Sequence, residues 1–361
     1  MSWEQLEFGG TCTLKGIYEK PAQPDPEAPL IVTLPGLGQA MSEKNYLFSN
    51  LRKKLSPYGA RVLQFDYRGH GDSEGELGDT GLSDMVSDTL EAIAAVCAEG
   101  RPRTIYLVGH ALGAAVALLA AAELKRERQA ACVPVLISPL LKALPKSAEL
   151  FDSGRLAQMK RAGRIDSQEL APGMDYYTWS DFDPRHLDYF ARLGSHMLYL
   201  HGQCIGSRIL DELDRLDGAK LFREHEGEAV VVCGEADEDT IGELGRLGRF
   251  GPSGLNGRLE RPARQEQAGP SDQFRQPGSP DKPESISEFE QPGPTDQSEE
   301  LRQVSQSVQP GSSGTPLSVH LLSGVRYYYQ HPAAMDELIG IIEHLWLTGC
   351  GSGTEGKTDG R

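Results

Sequence analysis

The chain has 361 residues and a formal net charge of −16. A surface this acidic repels phosphate backbones and anionic lipid headgroups, which argues against nucleic-acid and membrane partners. Hydrophobic residues make up 39% of the chain, alongside 41 Gly and 23 Pro, a balance that predicts a segment outside any packed core.

The first residues, Met1-Ser2-Trp3-Glu4-Gln5, are polar and do not read as a signal peptide. No stretch approaches the length of a membrane-spanning helix. The six cysteines, at 12, 97, 132, 204, 233 and 350, show no paired spacing. Cys97, Cys132 and Cys233 lie in apolar runs and are expected to be buried. Reduced thiols in a cytoplasmic protein are the expectation.

Gln5–Phe8 and Leu14–Tyr18 read as short strands around a Gly9-Gly10 turn. Leu30–Leu34 is a continuous apolar run ended by Pro35-Gly36, the pattern of a strand buried on both faces. Residues 44–57 have helical spacing and stop at Pro57-Tyr58-Gly59. Arg61–Phe65 is the next strand, and a Gly-rich loop follows it. An amphipathic helix is expected over 80–98, a buried strand over Thr104–Val108, an Ala/Leu-rich helix over 112–128 and a strand over Val133–Ile137. Strands alternating with helices at this spacing predict an α/β fold with a mostly parallel sheet covered on both faces.

The rhythm breaks from 140 to 225, where charged helical pieces mix with Tyr176, Tyr177, Trp179 and a strand-like run, Met197–Leu200. This reads as a cap inserted over the end of the sheet. Ala229–Cys233 resumes the buried-strand pattern. Residues 251–316 are dense in Pro, Gly, Ser, Gln, Asp and Glu, and Gly269-Pro270-Ser271-Asp272-Gln273 nearly recurs as Gly293-Pro294-Thr295-Asp296-Gln297. Such a stretch buries too little apolar surface to offset an ordering entropy of about 1–2 kcal/mol per residue, so a disordered insert is expected. Leu317–Leu322 is the last strand, 332–347 a closing helix, and 349–361 a flexible tail. The implied organisation is core 5–139, cap 140–225, core 226–250, insert 251–316 and core 317–348.

Gly109-His110-Ala111-Leu112-Gly113 falls between a buried strand and an Ala-rich helix. It has the shape of the nucleophile elbow G-x-S-x-G with its serine replaced by alanine. With this motif the chain resembles the α/β-hydrolase superfamily, and within it the cinnamoyl/feruloyl-esterase and serine-aminopeptidase-like lipase group. Leu34-Pro35-Gly36-Leu37-Gly38 resembles that group's oxyanion loop, with Pro35 in place of its usual His. Asp66-Tyr67-Arg68-Gly69-His70-Gly71-Asp72-Ser73 is similar to its Gly-rich loop, Ile137-Ser138-Pro139 to its strand end before the cap, and Gly234-Glu235-Ala236-Asp237 to its acid-bearing turn.

The resemblance implies a Ser–Asp–His triad in that chain order. The nucleophile position falls on Ala111, whose methyl group cannot attack. The acid falls on Asp237, with Asp239 as a neighbouring substitute; an alternative alignment would put it on Ile205. The base position falls on Arg326, which stays charged and cannot accept a proton. His331 is a displaced candidate for the base. Loss at two positions predicts a pseudoenzyme.

The backbone N–H groups of Leu37 and Leu112 would still form an oxyanion hole, lined by Gly36 and backed by His110. Arg326 would add positive charge, so the expected ligand is a small carboxylate or ester-like molecule, with a protein partner as the other possibility. Two further classes stay open: an active esterase with a non-standard nucleophile, and an interaction protein acting through the 251–316 insert. His70 and Ser73 are expected to hold their loop, and His201 to be a cap residue. Tyr327-Tyr328-Tyr329 would line a pocket or pack as core. No metal-ligand or phosphate-loop spacing is present, so no cofactor is expected.

Overall fold

The computed structural model describes residues 2–21, 25–98, 100–127, 131–172, 183–195, 203–248, 307–308 and 317–351. Two antiparallel strands open the chain, β1 (Ser2–Phe8) and β2 (Leu14–Lys20), paired from Ser2↔Lys20 to Phe8↔Leu14. β3 (Leu30–Leu34), α1 (Leu47–Leu55), β4 (Arg61–Phe65), α2 (Leu82–Cys97), β5 (Thr104–His110), α3 (Leu112–Arg126) and β6 (Ala131–Ile137) then alternate. The segment expected to form the cap follows, with α4 (Ser147–Leu150), α5 (Ser153–Ala162), β7 (Arg164–Asp166), α6 (Ser167–Leu170), α7 (Pro184–Leu193), β8 (Cys204–Gly206), α8 (Ser207–Leu213) and α9 (Gly218–Glu224). β9 (Ala229–Gly234), α10 (Glu238–Arg246), β10 (Ser307–Val308), β11 (Leu317–Leu322) and α11 (Pro332–Gly351) complete the order.

Among the described residues the central sheet runs β1-β2-β4-β3-β5-β6-β9-β11-β10, and β7 pairs with β8 in a separate two-stranded sheet of the cap. The pairs from β4 to β11 are parallel; β1, β2 and β10 join antiparallel. This is the α/β architecture that the alternation predicts. All five residues of β3 are buried because its faces serve two cores. Leu30, Val32 and Leu34 pack with α2, α3 and cap residues; Ile31 packs on the other face with Phe48 and Leu51 of α1 and Leu338, Ile342 and Trp346 of α11. The two-residue period of a strand delivers neighbouring side chains to opposite layers.

Several boundaries differ from expectation. The helix expected over 44–57 is broken, because Asn45 and Tyr46 take left-handed φ values of 57° and 58°, and only Leu47–Leu55 is α-helical. The closing helix runs to Gly351, past the expected start of the tail. Ser307–Val308, inside the expected insert, pairs with Val319 and His320 of β11. The rest of 251–316 lies outside the described residues, as do Met197–Leu200, Tyr176, Tyr177, Trp179 and His201. Cys97 and Cys132 are only half-buried, whereas Cys233 is fully buried; none of the described cysteines is bonded to another.

Candidate functional site

The turn expected to be the nucleophile elbow is a sharp strand-to-helix joint with Ala111 at its apex. Ala111 joins β5 to α3 at φ 55°, ψ −114°, a conformation that costs a non-glycine residue about 1–3 kcal/mol. Its N–H donates to the Ile137 carbonyl at 2.9 Å. The flanking glycines are sterically required: a Cβ on Gly113 would lie 2.0 Å from the Leu34 carbonyl oxygen, and one on Gly109 2.2 Å from that of Gly113. His110 is buried behind the turn, edge-on to Tyr328 at 5.2 Å. Its Nδ1 is 3.3 Å from Oε1 of buried Glu43, whose Oε2 accepts the Gly36 N–H at 2.8 Å.

The N–H of Leu37, expected to be one of two open oxyanion donors, is already occupied. Leu37 donates its N–H to the carbonyl oxygen of Leu193, the last residue of α7, at 3.1 Å. A helix leaves its last carbonyls without intrahelical partners, and they carry the negative end of its dipole. The cap thus places a partial negative charge against one of the two donors that a reacting oxyanion would use.

Gly194 caps α7 at φ 76°, and its backbone passes directly over the elbow: a Cβ there would lie 3.0 Å from Gly36 Cα and 3.1 Å from Ala111 Cβ. Gly36, Ala111 and Gly194 are all small where three segments converge. Ala111, Leu37 and Leu112 are at most 1% exposed. No ligand reaches this point while α7 stays in place.

The positions expected to hold the acid and the base lie beside this turn, around a small cleft lined by Ser138, Lys142, Arg192, Asp237, Asp239 and Arg326, among others. Asp237 follows β9 and is buried, its carboxylate accepting the Thr240 N–H at 3.2 Å as the cap of α10. Asp239, not Asp237, meets Arg326: the guanidinium donates to Asp239 at 3.4 Å and to Asp188 of α7 at 2.9 Å. Lys142 holds the other oxygen of Asp239 at 2.6 Å. The Lys142 hydrogen bond, with Arg192 and Arg326 nearby, holds the Asp239 carboxyl below its usual range.

Ile205 lies in β8, in the small cap sheet rather than at an end of the central one. His331 precedes α11 and accepts the Ala333 N–H at 3.2 Å, so its Nδ1 is occupied in starting the helix. The tyrosine run divides: Tyr328 is core, with its hydroxyl donating to the Lys44 carbonyl, while Tyr327 lines the cleft and stacks on Tyr329 at 5.3 Å.

His70 and Ser73 shape their loop. His70 Nδ1 lies 2.9 Å from the Arg68 carbonyl, and Ser73 donates to the Asp66 carbonyl at 2.7 Å. Asp66 accepts the N–H groups of Met41 and Asp72, and Arg68 forks onto Asp88. Among the described residues no cluster of three or more His, Cys, Asp or Glu could hold a metal ion. Asp188, Arg192, Leu193 and Gly194 escape the sequence reading, although Asp188 and Arg192 stand one helical turn apart in a run that ends at a glycine.

The family model for serine aminopeptidase, S33, matches residues 26–172. Rat monoglyceride lipase is 28% identical over 182 residues, 48% of this chain and 55% of that protein; human monoglyceride lipase is 36% identical over 107 residues, 29% and 34% respectively. The chain therefore spans about half, or less, of the length of these curated relatives. A thermostable carboxyl esterase from Bacillus coagulans superposes with a TM-score of 0.56 at 13% identity, over 97% of this chain and 99% of that one, a likeness of fold alone. The parallel sheet, the strand–elbow–helix unit and these matches together make the chain a member of the α/β-hydrolase superfamily.

Proposed function

We propose that the protein is a non-catalytic homologue of the lipase/esterase-type α/β-hydrolases, one that binds a small carboxylate or acyl ligand, or a protein partner, without cleaving it. The observation that carries the reading is the elbow itself. Its geometry is retained around a methyl group, and the neighbouring oxyanion donor is already bonded to the cap. In enzymes with such a triad, losing nucleophile or base leaves only the rate that binding and the oxyanion hole supply. Here Ala111 and Arg326 stand at both positions and Leu193 fills part of the hole. Among the described residues no helix is long and apolar enough to cross a membrane. The test is hydrolysis of 4-nitrophenyl acetate, 4-nitrophenyl butyrate and a monoacylglycerol by the purified protein. No turnover above the buffer rate is expected; clear turnover by the wild type would overturn the reading.

One observation favours a second reading, an esterase with another nucleophile. Ser138, directly after β6, takes φ 46°, a strained value for a serine, and lines the same cleft as Asp237 and Asp239. If the wild type turns over esters, Ser138→Ala abolishes that activity on this reading and leaves it intact otherwise. The third class, interaction through residues 251–316, is tested by deleting them and measuring partner capture.

A further inference from the structure

The four residues before α1 hold a strained backbone. Glu43 takes φ 58°, ψ 170°, Asn45 φ 57°, ψ 27°, and Tyr46 φ 58°, ψ 30°. Three of the four are therefore left-handed without being glycine, and the Glu43 combination is one that almost only glycine adopts. Asparagine tolerates a left-handed backbone; glutamate and tyrosine keep it only where surrounding contacts hold them there.

Those contacts run in two directions. On one side the Glu43 carboxylate is fully buried: Oε2 accepts the Gly36 N–H at 2.8 Å, and Oε1 accepts the Lys44 N–H at 2.8 Å and lies 3.3 Å from His110 Nδ1. On the other, the Lys44 carbonyl accepts the Tyr328 hydroxyl at 2.9 Å, the Lys44 ammonium lies 3.9 Å from the centre of the Tyr329 ring, and Asn45 Nδ2 donates to the Tyr329 carbonyl at 3.4 Å. Glu43 thus fixes Gly36 and, next to it, Leu37. These are the two residues on which the end of α7 lands: the Leu37 N–H donates to the Leu193 carbonyl, and the Gly36 backbone lies against Gly194. Withdrawing a buried carboxylate from its N–H donors is costly, so side-chain hydrogen bonds and backbone strain oppose each other at one residue. Tyr46, at the far end of the same strained run, is 70% exposed.

We propose that Glu43–Tyr46 is a strained latch that holds Gly36 and Leu37 against the end of α7 and, on relaxing, opens the space above Ala111. Relaxation of the run to negative φ withdraws the Glu43 carboxylate from the Gly36 N–H, and residues 193–195 then lift from the turn at Ala111. The other polar contacts of α7, Asp188 with Arg326 and Arg192 with the Lys142 and Ala143 carbonyls, do not involve residues 36–46. The helix therefore stays attached while its end moves. The space opened is bounded by Ala111, Gly36 and the freed N–H of Leu37. The device goes beyond the binding reading above and does not depend on it, because amide exchange and ester turnover are separate measurements.

The test is hydrogen–deuterium exchange of the full chain, read by mass spectrometry with fragmentation to single residues. The reporters are the amides of Leu37, Gly194 and Ser195, which bond to Leu193, Ala191 and Phe190 respectively. Two variants push the latch in opposite directions. Glu43→Gln keeps the shape but offers one acceptor oxygen to two N–H donors, and is expected to speed exchange at the reporters about tenfold or more. Tyr46→Gly removes the left-handed penalty at an exposed position, and is expected to slow it roughly twofold to fivefold. Exchange within β5 and α3 is expected to stay within about twofold of the wild type in both, which separates release of the latch from general loss of stability. Lys53→Gln, at an exposed lysine of α1, is the control and is expected to leave the reporters within about twofold. If Glu43→Gln fails to fold, Tyr46→Gly decides. Unchanged reporters in the variants that fold, or a change in β5 and α3 as large as that at the reporters, overturns the proposal.

Discussion

The N–H of Leu37 donates to the carbonyl of Leu193 at 3.1 Å, so the backbone group that would stabilise an oxyanion instead ties the cap to the core. Restoring the side chains does not remove that bond. The double variant Ala111→Ser/Arg326→His is therefore expected to hydrolyse chromogenic esters no faster than the wild type. A gain in turnover would mean that α7 leaves the elbow readily in solution, and steady-state assays of both proteins distinguish the outcomes.

Gly194 is the second half of the same joint. An alanine there would have to hold φ 76° and bring a Cβ to 3.0 Å from Gly36 Cα and 3.1 Å from Ala111 Cβ. The left-handed conformation and the crowding together predict a loss of about 1–3 kcal/mol for Gly194→Ala, read as a lower urea midpoint. Gly113→Ala is expected to be worse, because its Cβ would meet the Leu34 carbonyl oxygen at 2.0 Å and neither backbone segment has room to move. Soluble yield and circular dichroism report that failure.

Acid should destabilise the protein through buried histidines. Burial, with His344 nearby, lowers the His320 pKa to about 4, and among the described residues neither ring nitrogen has a hydrogen-bond partner. Burial also lowers that of His70. Both groups bind protons more readily in the unfolded chain, so stability is full above about pH 6.5, falls as pH drops toward 4, and levels off below the folded pKa. The His320 share of that fall is up to roughly 3 kcal/mol. His320→Leu should flatten the dependence of the urea midpoint on pH across that window, leaving the smaller contribution of His70.

The Arg326–Asp188 bridge is expected to matter little for stability. Its side chains are 35% and 38% exposed, which screens the pair. A double-mutant cycle with Arg326→Gln and Asp188→Asn should return a coupling below about 1 kcal/mol. A larger value would make this bridge, rather than the Leu193 carbonyl, the main fastening of the cap.

Much of the fold was legible because its signals are local. Continuous apolar runs such as Leu30–Leu34 and Ala229–Cys233 are short, rich in branched residues and flanked by Pro or Gly, which marks them as strands covered on both faces, and Gly109 and Gly113 around residue 111 mark a tight strand-to-helix turn. The break at Asn45 and Tyr46 was not legible, since neither residue type demands a left-handed backbone. The site was legible by position and not by contact. Asp237 and Arg326 fall beside one cleft, yet the carboxylates that meet Arg326 belong to Asp188 and Asp239, because Asp237 is turned toward the first turn of α10.

The sequence by itself determined that this chain has a strand–tight turn–helix unit with an alanine at its apex, because strand, turn and helix are written in consecutive residues whose sterics are local. Only the tertiary structure decided what became of the space above Ala111. Leu37 and Leu193 are far apart in the chain, and nothing in either residue's type predicts that a helix would end with its carbonyl on that N–H. The same is true of Arg192, an ordinary arginine in sequence, which becomes buried with its guanidinium on the Lys142 and Ala143 carbonyls only when α7 packs against the ends of the sheet.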